Sequence, residues 1–254
     1  MVPITALIDG NNFYASCEQS IDPALAGRPV VVLSNNDGCV IARSTEARGL
    51  GIPMGIPYFK VERKLRKLKI IVRSSNYALY GDMSQRLMNL LEKHCDYLEV
   101  YSIDEAFARL SLPINNDLYS WGSHLRALIY QNLGITISIG IGRNKVQAKL
   151  ANHLAKNIEI KVGIFDLLSP INYEERLAEI SIEEVWGIGN KMSSWLRSKG
   201  VNTAKQLRDM PSNELKSKYG VVGIRLQHEL RGEACFPFKE HSTKKKETCV
   251  SRSF

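Results

Sequence analysis

Cysteine is scarce in this chain and never paired: Cys17, Cys39, Cys95, Cys235 and Cys249 are odd in number, lie far apart and form no CxxC. That spacing indicates neither a disulfide framework nor a thiolate zinc site. The five histidines show no ligand spacing, and nothing has the pattern of a P-loop or a nucleophile triad. No apolar run approaches the roughly 20 residues that cross a bilayer. The opening MVPITALIDG has neither a basic n-region nor a long apolar stretch. The expectation is a cytoplasmic protein without a membrane partner. Internal repeats are also absent.

What is present is ordinary globular material. The 254 residues are 44% hydrophobic and 24% charged, enough for two domains or one large one. Thirty-four Lys and Arg against 26 Asp and Glu leave a net charge of +8, which favours a polyanionic partner such as nucleic acid or an acidic surface. A solvated basic surface gives the same number.

Short β-branched or aliphatic runs at Ile4 to Ile8 and Val30 to Leu33 end at polar residues, as buried strands do where they reach a surface. Between Ser34 and Pro57 the chain is rich in Gly, Pro, Asn and Arg, and Val61 to Lys69 follows with Leu65 and Leu68 at helical spacing. This reads as a small subdomain inserted between sheet elements. Tyr97 to Ile103 and Ala106 to Leu110 read as a hairpin with Asp104-Glu105 at its tip. A helix is predicted over Leu118 to Leu133, a buried strand over Gly134 to Gly140 and a helix over Asn144 to Lys156. On that last helix Val146, Leu150 and Leu154 form an apolar stripe, and Lys145, Lys149 and Lys156 share the other side. The predicted class is α+β on one sheet. Beyond Ser169-Pro170 the pattern changes to short polar helices, so a boundary is expected near Asp166 to Asn172 and an all-helical domain over 171 to about 233. Lys239 to Phe254, with Lys244-Lys245-Lys246, reads as a basic linker or tail.

Three carboxylates stand at ends of sheet elements: Asp9 closes the first strand, and Asp104 and Glu105 occupy the hairpin tip. Brought together, they repel one another unless a divalent cation neutralises them, and hard oxygen ligands select magnesium. Two such ions about 3.5 to 4 Å apart promote in-line attack on a phosphate. Spacing alone equally allows a strand cap at Asp9 and a solvated turn at Asp104-Glu105. Val185-Trp186-Gly187-Ile188-Gly189, with Lys191 and helices up to Gly200 and over Thr203 to Met210, has the form of a helix-hairpin-helix. Its glycines let backbone approach a phosphate at a helix N-terminus, although a Gly-mediated αα turn looks the same. The Lys145, Lys149 and Lys156 row is either a grip on triphosphate or template backbone, or a solvated face. His153 is expected at the surface, and Trp121, Trp186 and Trp195 in the core.

In chain order, IDGNNFYASCE (8–18), VVLSNNDGCVIARSTEARGLGIPMG (31–55), SSNYALYGDMS (74–84), YSIDEAF (101–107), GIGRNKVQAKLANHLAK (140–156) and VWGIG (185–189) closely resemble the Y-family DNA polymerases. SNNDGCVIAR and the closing SRSF resemble its bacterial UmuC branch. The resemblance implies error-prone translesion synthesis in an SOS response, with two Mg2+ ions and dNTP substrates. Asp9, Asp104 and Glu105 match the catalytic carboxylates, and the Gly10 carbonyl is a further metal ligand. Tyr14 matches the steric gate against ribonucleotides and Phe13 flanks the sugar. Arg43, Arg48, Tyr77 and Lys156 match nucleotide-binding positions. Gly187, Gly189, Lys191, Lys145 and Lys149 are the DNA-binding candidates.

The architecture implied is a palm (1–12 and 77–167), small fingers (13–76), an all-α thumb (168–233) and a linker (234–254). The family's little-finger domain is expected to begin where this sequence stops. The expected partners are primer-template DNA and, for a full-length form, a UmuD′-type subunit, RecA and the sliding clamp. A truncated, weakly active DNA-binding product that competes at primer ends is the alternative. Thr45 stands where some members carry a phosphate-binding tyrosine, and Asn11 replaces an acid of other branches.

Overall fold

The computed structural model describes residues 4–111, 118–157 and 162–239. Strand β1 (Ile4–Gly10) leads into helix α1 (Phe13–Ile21), followed by β2 (Val30–Leu33), β3 (Val40–Arg43), α2 (Thr45–Gly49), α3 (Tyr58–Lys67) and β4 (Ile71–Arg73). Then come α4 (Tyr77–Glu92), the hairpin β5 (Tyr97–Val100) and β6 (Glu105–Leu110), α5 (Leu118–Leu133), β7 (Ile137–Gly142), α6 (Lys145–Asn157) and β8 (Ile164–Asp166). Four further helices follow: α7 (Pro170–Glu179), α8 (Asn190–Ser198), α9 (Ala204–Asp209) and α10 (Ser212–Leu230), the last broken at Gly220. The class is α+β, but the strands form two sheets where one was expected. A five-stranded sheet runs β5-β6-β1-β7-β8, and a separate three-stranded sheet runs β3-β2-β4. The second arises because β2 pairs with β3 and β4 inside the inserted segment and never reaches β1.

The central strand β1 is buried on both faces, and its side chains alternate between them. Ala6 and Ile8 join Tyr80, Leu87 and Leu91 of α4 and Leu125 and Ile129 of α5. Leu7 joins Phe107 and Ala148 on the other face, under α6. That helix lies unusually close to β7, because a Cβ at Gly140 would stand 2.0 Å from the Asn152 backbone nitrogen. Glycine at 140 is therefore a packing requirement.

The reverse side of α6 supplies Val146, Leu150 and Leu154 to a second core with Leu177, Leu196, Leu207 and Leu226 of the C-terminal helices. A third core, Val31, Leu33, Val40, Val61 and Leu65, stabilises the small sheet. Each buried leucine contributes about 2 to 5 kcal/mol against its truncation to alanine.

The segment after α10 doubles back onto the large sheet. Fully buried Glu229 accepts from the backbone N–H groups of Val146 (3.1 Å), Cys235 (2.6 Å) and Phe236 (2.9 Å). It thus joins the start of α6 to the returning chain. Phe238 packs on the Leu7 and Phe107 cluster, and the Lys239 N–H donates to Glu99 at 2.9 Å. The stretch expected as a linker is held against the sheet as far as 239. The basic tail expected beyond it, Cys249 and the SRSF motif lie outside the described residues. Among the described residues no helix is long and apolar enough to cross a membrane.

Candidate active site

Register brings the three acids together. In the antiparallel pair of β1 and β6, Asp9 faces Glu105, and one residue on the Gly10 N–H donates to the Asp104 carbonyl at 2.8 Å. Ser102 shapes the hairpin tip. Its hydroxyl donates to Asp104 Oδ1 at 2.6 Å and accepts from the Glu105 N–H at 3.0 Å, a local turn that side-chain hydroxyls favour. Beyond β1 the chain turns through Asn12, held in the left-handed region (φ 50°), and enters α1 at Phe13. Asparagine tolerates that conformation better than most residues, and its Nδ2 donates to Thr45 Oγ1 at 3.1 Å, which ties the turn to the small sheet's helix α2.

The lysine row of α6 meets these acids in turn. Lys156 Nζ lies 2.6 Å from Asp9 Oδ2, and Lys149 Nζ lies 3.2 Å from both Glu105 oxygens. Lys145 Nζ lies 2.6 Å from Glu99 and also donates to the Pro237 carbonyl at 2.9 Å. The expectation of Lys145 as a DNA contact is corrected here: with its side chain 5% exposed and its donors engaged, it cannot reach an external phosphate. Lys149 is also enclosed, its ammonium 4.4 Å from the Tyr101 ring centre and 5.5 Å from that of Trp186. The solvated face allowed as the alternative holds only at the helix end, where the Lys156 side chain is 35% exposed; Lys145 and Lys149 are wedged between the sheet and the C-terminal helices.

Burial pushes the Asp9 carboxyl up to about 7; Lys156 opposes the rise, while Glu105 and Asp104 add to it. A buried acid among other acids is a site where a cation is stabilised. The donors present, carboxylates and a backbone carbonyl, are hard oxygens of the kind magnesium takes. Among the described residues no three acidic, histidine or cysteine side chains stand gathered as a cage, and lysines pair with Asp9 and Glu105. The donor set fits a hard divalent cation once Lys156 gives up Asp9.

A cleft of about 320 Å³ opens between these acids and the small sheet, lined by Asp9, Tyr14, Arg43, Arg48, Asp104 and Lys156 among others. Gly10 and Phe13 line it too, and so do Asn12, Ile41, Met54 and Ile103, which motif reading did not single out. Tyr77 stands edge-on to Tyr14, 6.0 Å between ring centres. A larger cleft of about 530 Å³, bordered by Ser20, Arg86 and Tyr130, contains no acid, histidine or cysteine, so size does not select the site.

At the far side of the acids, Trp186 Nε1 donates to the Tyr101 hydroxyl at 3.3 Å. The hairpin carrying Gly187, Gly189 and Lys191 is thereby joined to the tip that carries Asp104. Gly187 takes a positive φ of 88°, and α8 begins directly after Gly189. A three-residue 3-10 turn, Ile182–Glu184, precedes the hairpin. His153 is a partly exposed partner of Glu184 at 3.1 Å, and Trp121, Trp186 and Trp195 pack half-buried at core margins.

Comparison with known proteins shows the family. The model of the impB/mucB/samB family matches residues 8–153. This chain belongs to that family. Protein UmuC of Salmonella typhimurium is 45% identical over 251 residues, covering 98% of this chain and 60% of that protein. Protein MucB of Escherichia coli is 39% identical over 250 residues, with the same coverage of 98% and 60%. Among solved structures, an insertion ternary complex of Dbh DNA polymerase superposes with a TM-score of 0.75 at 27% identity, over 89% of this chain and 67% of that one. This family member is of the UmuC type, within the Y-family polymerases. It spans about 60% of the length of the curated relatives it matches.

Proposed function

We propose that this chain adds deoxynucleotides to a primer 3′-end under the direction of a template, as an error-prone translesion polymerase of the bacterial SOS response. The observation that carries the reading is the meeting of Asp9 with Asp104 and Glu105 beside a cleft that also presents Arg43, Arg48 and Lys156. Asp9 and Asp104 on one wall, Arg43 and Arg48 on the other and a Lys156 able to leave Asp9 suit a triphosphate that arrives with divalent metal. Asp9, Asp104 and the Gly10 carbonyl would hold two magnesium ions, with Glu105 on the primer side. When bound, the ions supply charge neutralisation at the α-phosphate and a lowered pKa at the primer hydroxyl. Arg48 and Lys156 bind triphosphate oxygens, Arg43 and Tyr77 border the incoming nucleotide, and Phe13 and Tyr14 pack against its sugar. Tyr14 leaves no room for a 2′-hydroxyl.

In this reading residues 1–12 and 77–167 are the palm, 13–76 the fingers and 168–233 the thumb. The thumb hairpin of Gly187, Gly189 and Lys191 tracks the DNA backbone without reading sequence. Gly189 supports that role from within: its φ of −90° suits any residue, and a Cβ there would meet nothing within 4 Å. Among the described residues nothing meets a Cβ at 189, which leaves this backbone open to a phosphate. Lys149 serves Glu105 internally. A UmuD′-type subunit, RecA and the sliding clamp are partners proposed for a full-length form, and the compartment proposed is the cytoplasm.

Primer extension with magnesium tests the proposal. Asp104→Asn should abolish extension while salt-sensitive DNA binding persists, because it removes a metal ligand and no phosphate contact. Extension by the variant at the parent rate would end the assignment.

A further inference from the structure

Tyr14 is seated on a second tyrosine. Its ring lies over that of Tyr80, with centroids 4.3 Å apart and planes 15° from parallel. Tyr77 stands edge-on to both, at 6.0 and 6.1 Å. The two stacked residues come from different helices, Tyr14 from the first turn of α1 and Tyr80 from the first turn of α4.

Tyr80 is fixed more firmly than its partner. It is fully buried, and its hydroxyl donates to Glu18 Oε1 at 2.8 Å. Glu18 is itself buried and lies 3.9 Å from the Arg73 guanidinium, which also holds Asp22 at 3.0 Å. Swinging the Tyr80 ring would leave a buried phenol and a buried carboxylate without their shared hydrogen bond, a costly exchange. Tyr14 faces the cleft on one side and rests on this buried, hydrogen-bonded ring on the other.

An aromatic ring refuses a hydroxyl by volume only if it cannot recede. A retreat of a few tenths of an ångström changes a clash into a contact, and close-packed surroundings prevent the retreat. We infer that Tyr80 is a specificity-determining positioning residue: stacked behind Tyr14, it fixes that ring against the nucleotide sugar and sets how strictly a 2′-hydroxyl is refused. This rests on the reading of Tyr14 as the sugar gate. Tyr80 touches no substrate. Its effect is on the ratio between two nucleotides that differ by one oxygen.

The test compares dCTP with CTP opposite template dG, as the ratio of kcat/KM in extension and as the ratio of Kd in equilibrium titration, using the 254-residue chain and primer-template DNA. Tyr80→Leu removes the ring and opens space for Tyr14 to retreat, so discrimination should relax roughly two- to tenfold, the scale of one lost aromatic pair. Tyr80→Phe keeps the stack and should stay near the parent ratio even though it loses the Glu18 bond and some stability. Tyr80→Met, also ringless, replaces the leucine variant should that chain not fold.

Tyr14→Ala is measured in parallel. Relaxation in Tyr14→Ala and Tyr80→Leu but not in Tyr80→Phe supports the inference. Relaxation in Tyr14→Ala with Tyr80→Leu at the parent ratio overturns it and leaves the gate intact. An unchanged ratio in Tyr14→Ala overturns the gate reading and the inference with it.

Discussion

The Lys156 ammonium stands 2.6 Å from Asp9 Oδ2, and the two partners differ in freedom: the lysine side chain is 35% exposed and the carboxylate side chain 8%. The lysine can swing out to solvent or to a triphosphate, while the carboxylate stays where β1 puts it. Lys156 thus neutralises in the free protein the charge that a divalent cation neutralises in the proposed reaction.

That pairing gives a pH dependence with a definite sign. Burial raises Asp9 from 3.8 to about 7, so the folded protein holds a proton there that the unfolded chain has already released. The Asp9 contribution to stability is fully present below the unfolded value and is lost as pH rises through about 7. Magnesium binding runs the opposite way, since the ion must displace the proton. Its affinity should fall about tenfold per pH unit below neutrality. Titration of the chain with magnesium from pH 5.5 to 8 measures this, and a flat profile contradicts it. Lys156→Met should move the transition to higher pH, because Lys156 is what opposes the rise.

Lys145 and Glu99 make a pair of another kind, with side chains 5% and 8% exposed. Lys145→Met leaves a buried carboxylate with, among the described residues, the Lys239 N–H as its remaining donor, and should destabilise the chain by about 3 to 5 kcal/mol in urea unfolding. Adding Glu99→Gln should recover part of that loss. Neither change should alter the salt slope of DNA binding, whereas Lys191→Ala, on an exposed surface, should lower it by about 1. An equal loss of slope in Lys145→Met would restore it as a phosphate contact.

Much of this was legible in the sequence where a run was long or strongly patterned. The strand over Val30 to Leu33 and the helix over Leu118 to Leu133 form at the residues expected, because apolar runs bounded by polar turns leave few alternatives. Strand β7 was expected at Gly134 to Gly140 and forms at Ile137–Gly142, since Gly134 takes φ 68° after α5 and cannot extend the sheet. Strands β4 and β8, three residues each, are too short to show a period, and with β4 unseen the second sheet could not be anticipated. Motifs named the acids and Tyr14 as candidates. Their meeting depends on the register of β1 with β6, which no local pattern specifies. The same holds for Lys145: its burial follows from Glu99 on β5 and from the returning chain at Pro237, neither of which is near it in sequence. Tyr80 was hidden for a related reason, as a helical tyrosine whose stacking partner sits on a different helix.

Gly140 tests the packing of α6, on which the lysine positions depend. A methyl group at that position would collide with the backbone of Asn152 at 2.0 Å and the Ala148 carbonyl at 2.3 Å. Backbone cannot yield as a side-chain tip does, so Gly140→Ala should cost at least about 3 kcal/mol or prevent folding. Gly49→Ala, where a Cβ meets nothing within 4 Å, is the control and should unfold with the parent. Comparable urea midpoints for the two variants would show that α6 can shift away from the sheet.

The hairpin of Gly187 and Gly189 separates a glycine required by backbone from one assigned to the proposed DNA contact. Gly187 has φ 88°, a region that an L side chain enters only at a cost of about 1 to 2 kcal/mol, so Gly187→Ala should lower stability and DNA affinity together. Gly189 has φ −90° and open space around its α-carbon, so Gly189→Ala should leave the urea midpoint near that of the parent. Its effect should appear only when DNA is present, as weaker binding with the salt slope retained, because the methyl group blocks approach without removing a charge. Fluorescence anisotropy with a labelled primer-template, run beside urea unfolding, resolves the two. If Gly189→Ala binds as tightly as the parent, the hairpin does not press its backbone against a phosphate, and the thumb must hold DNA through side chains such as Lys191 alone.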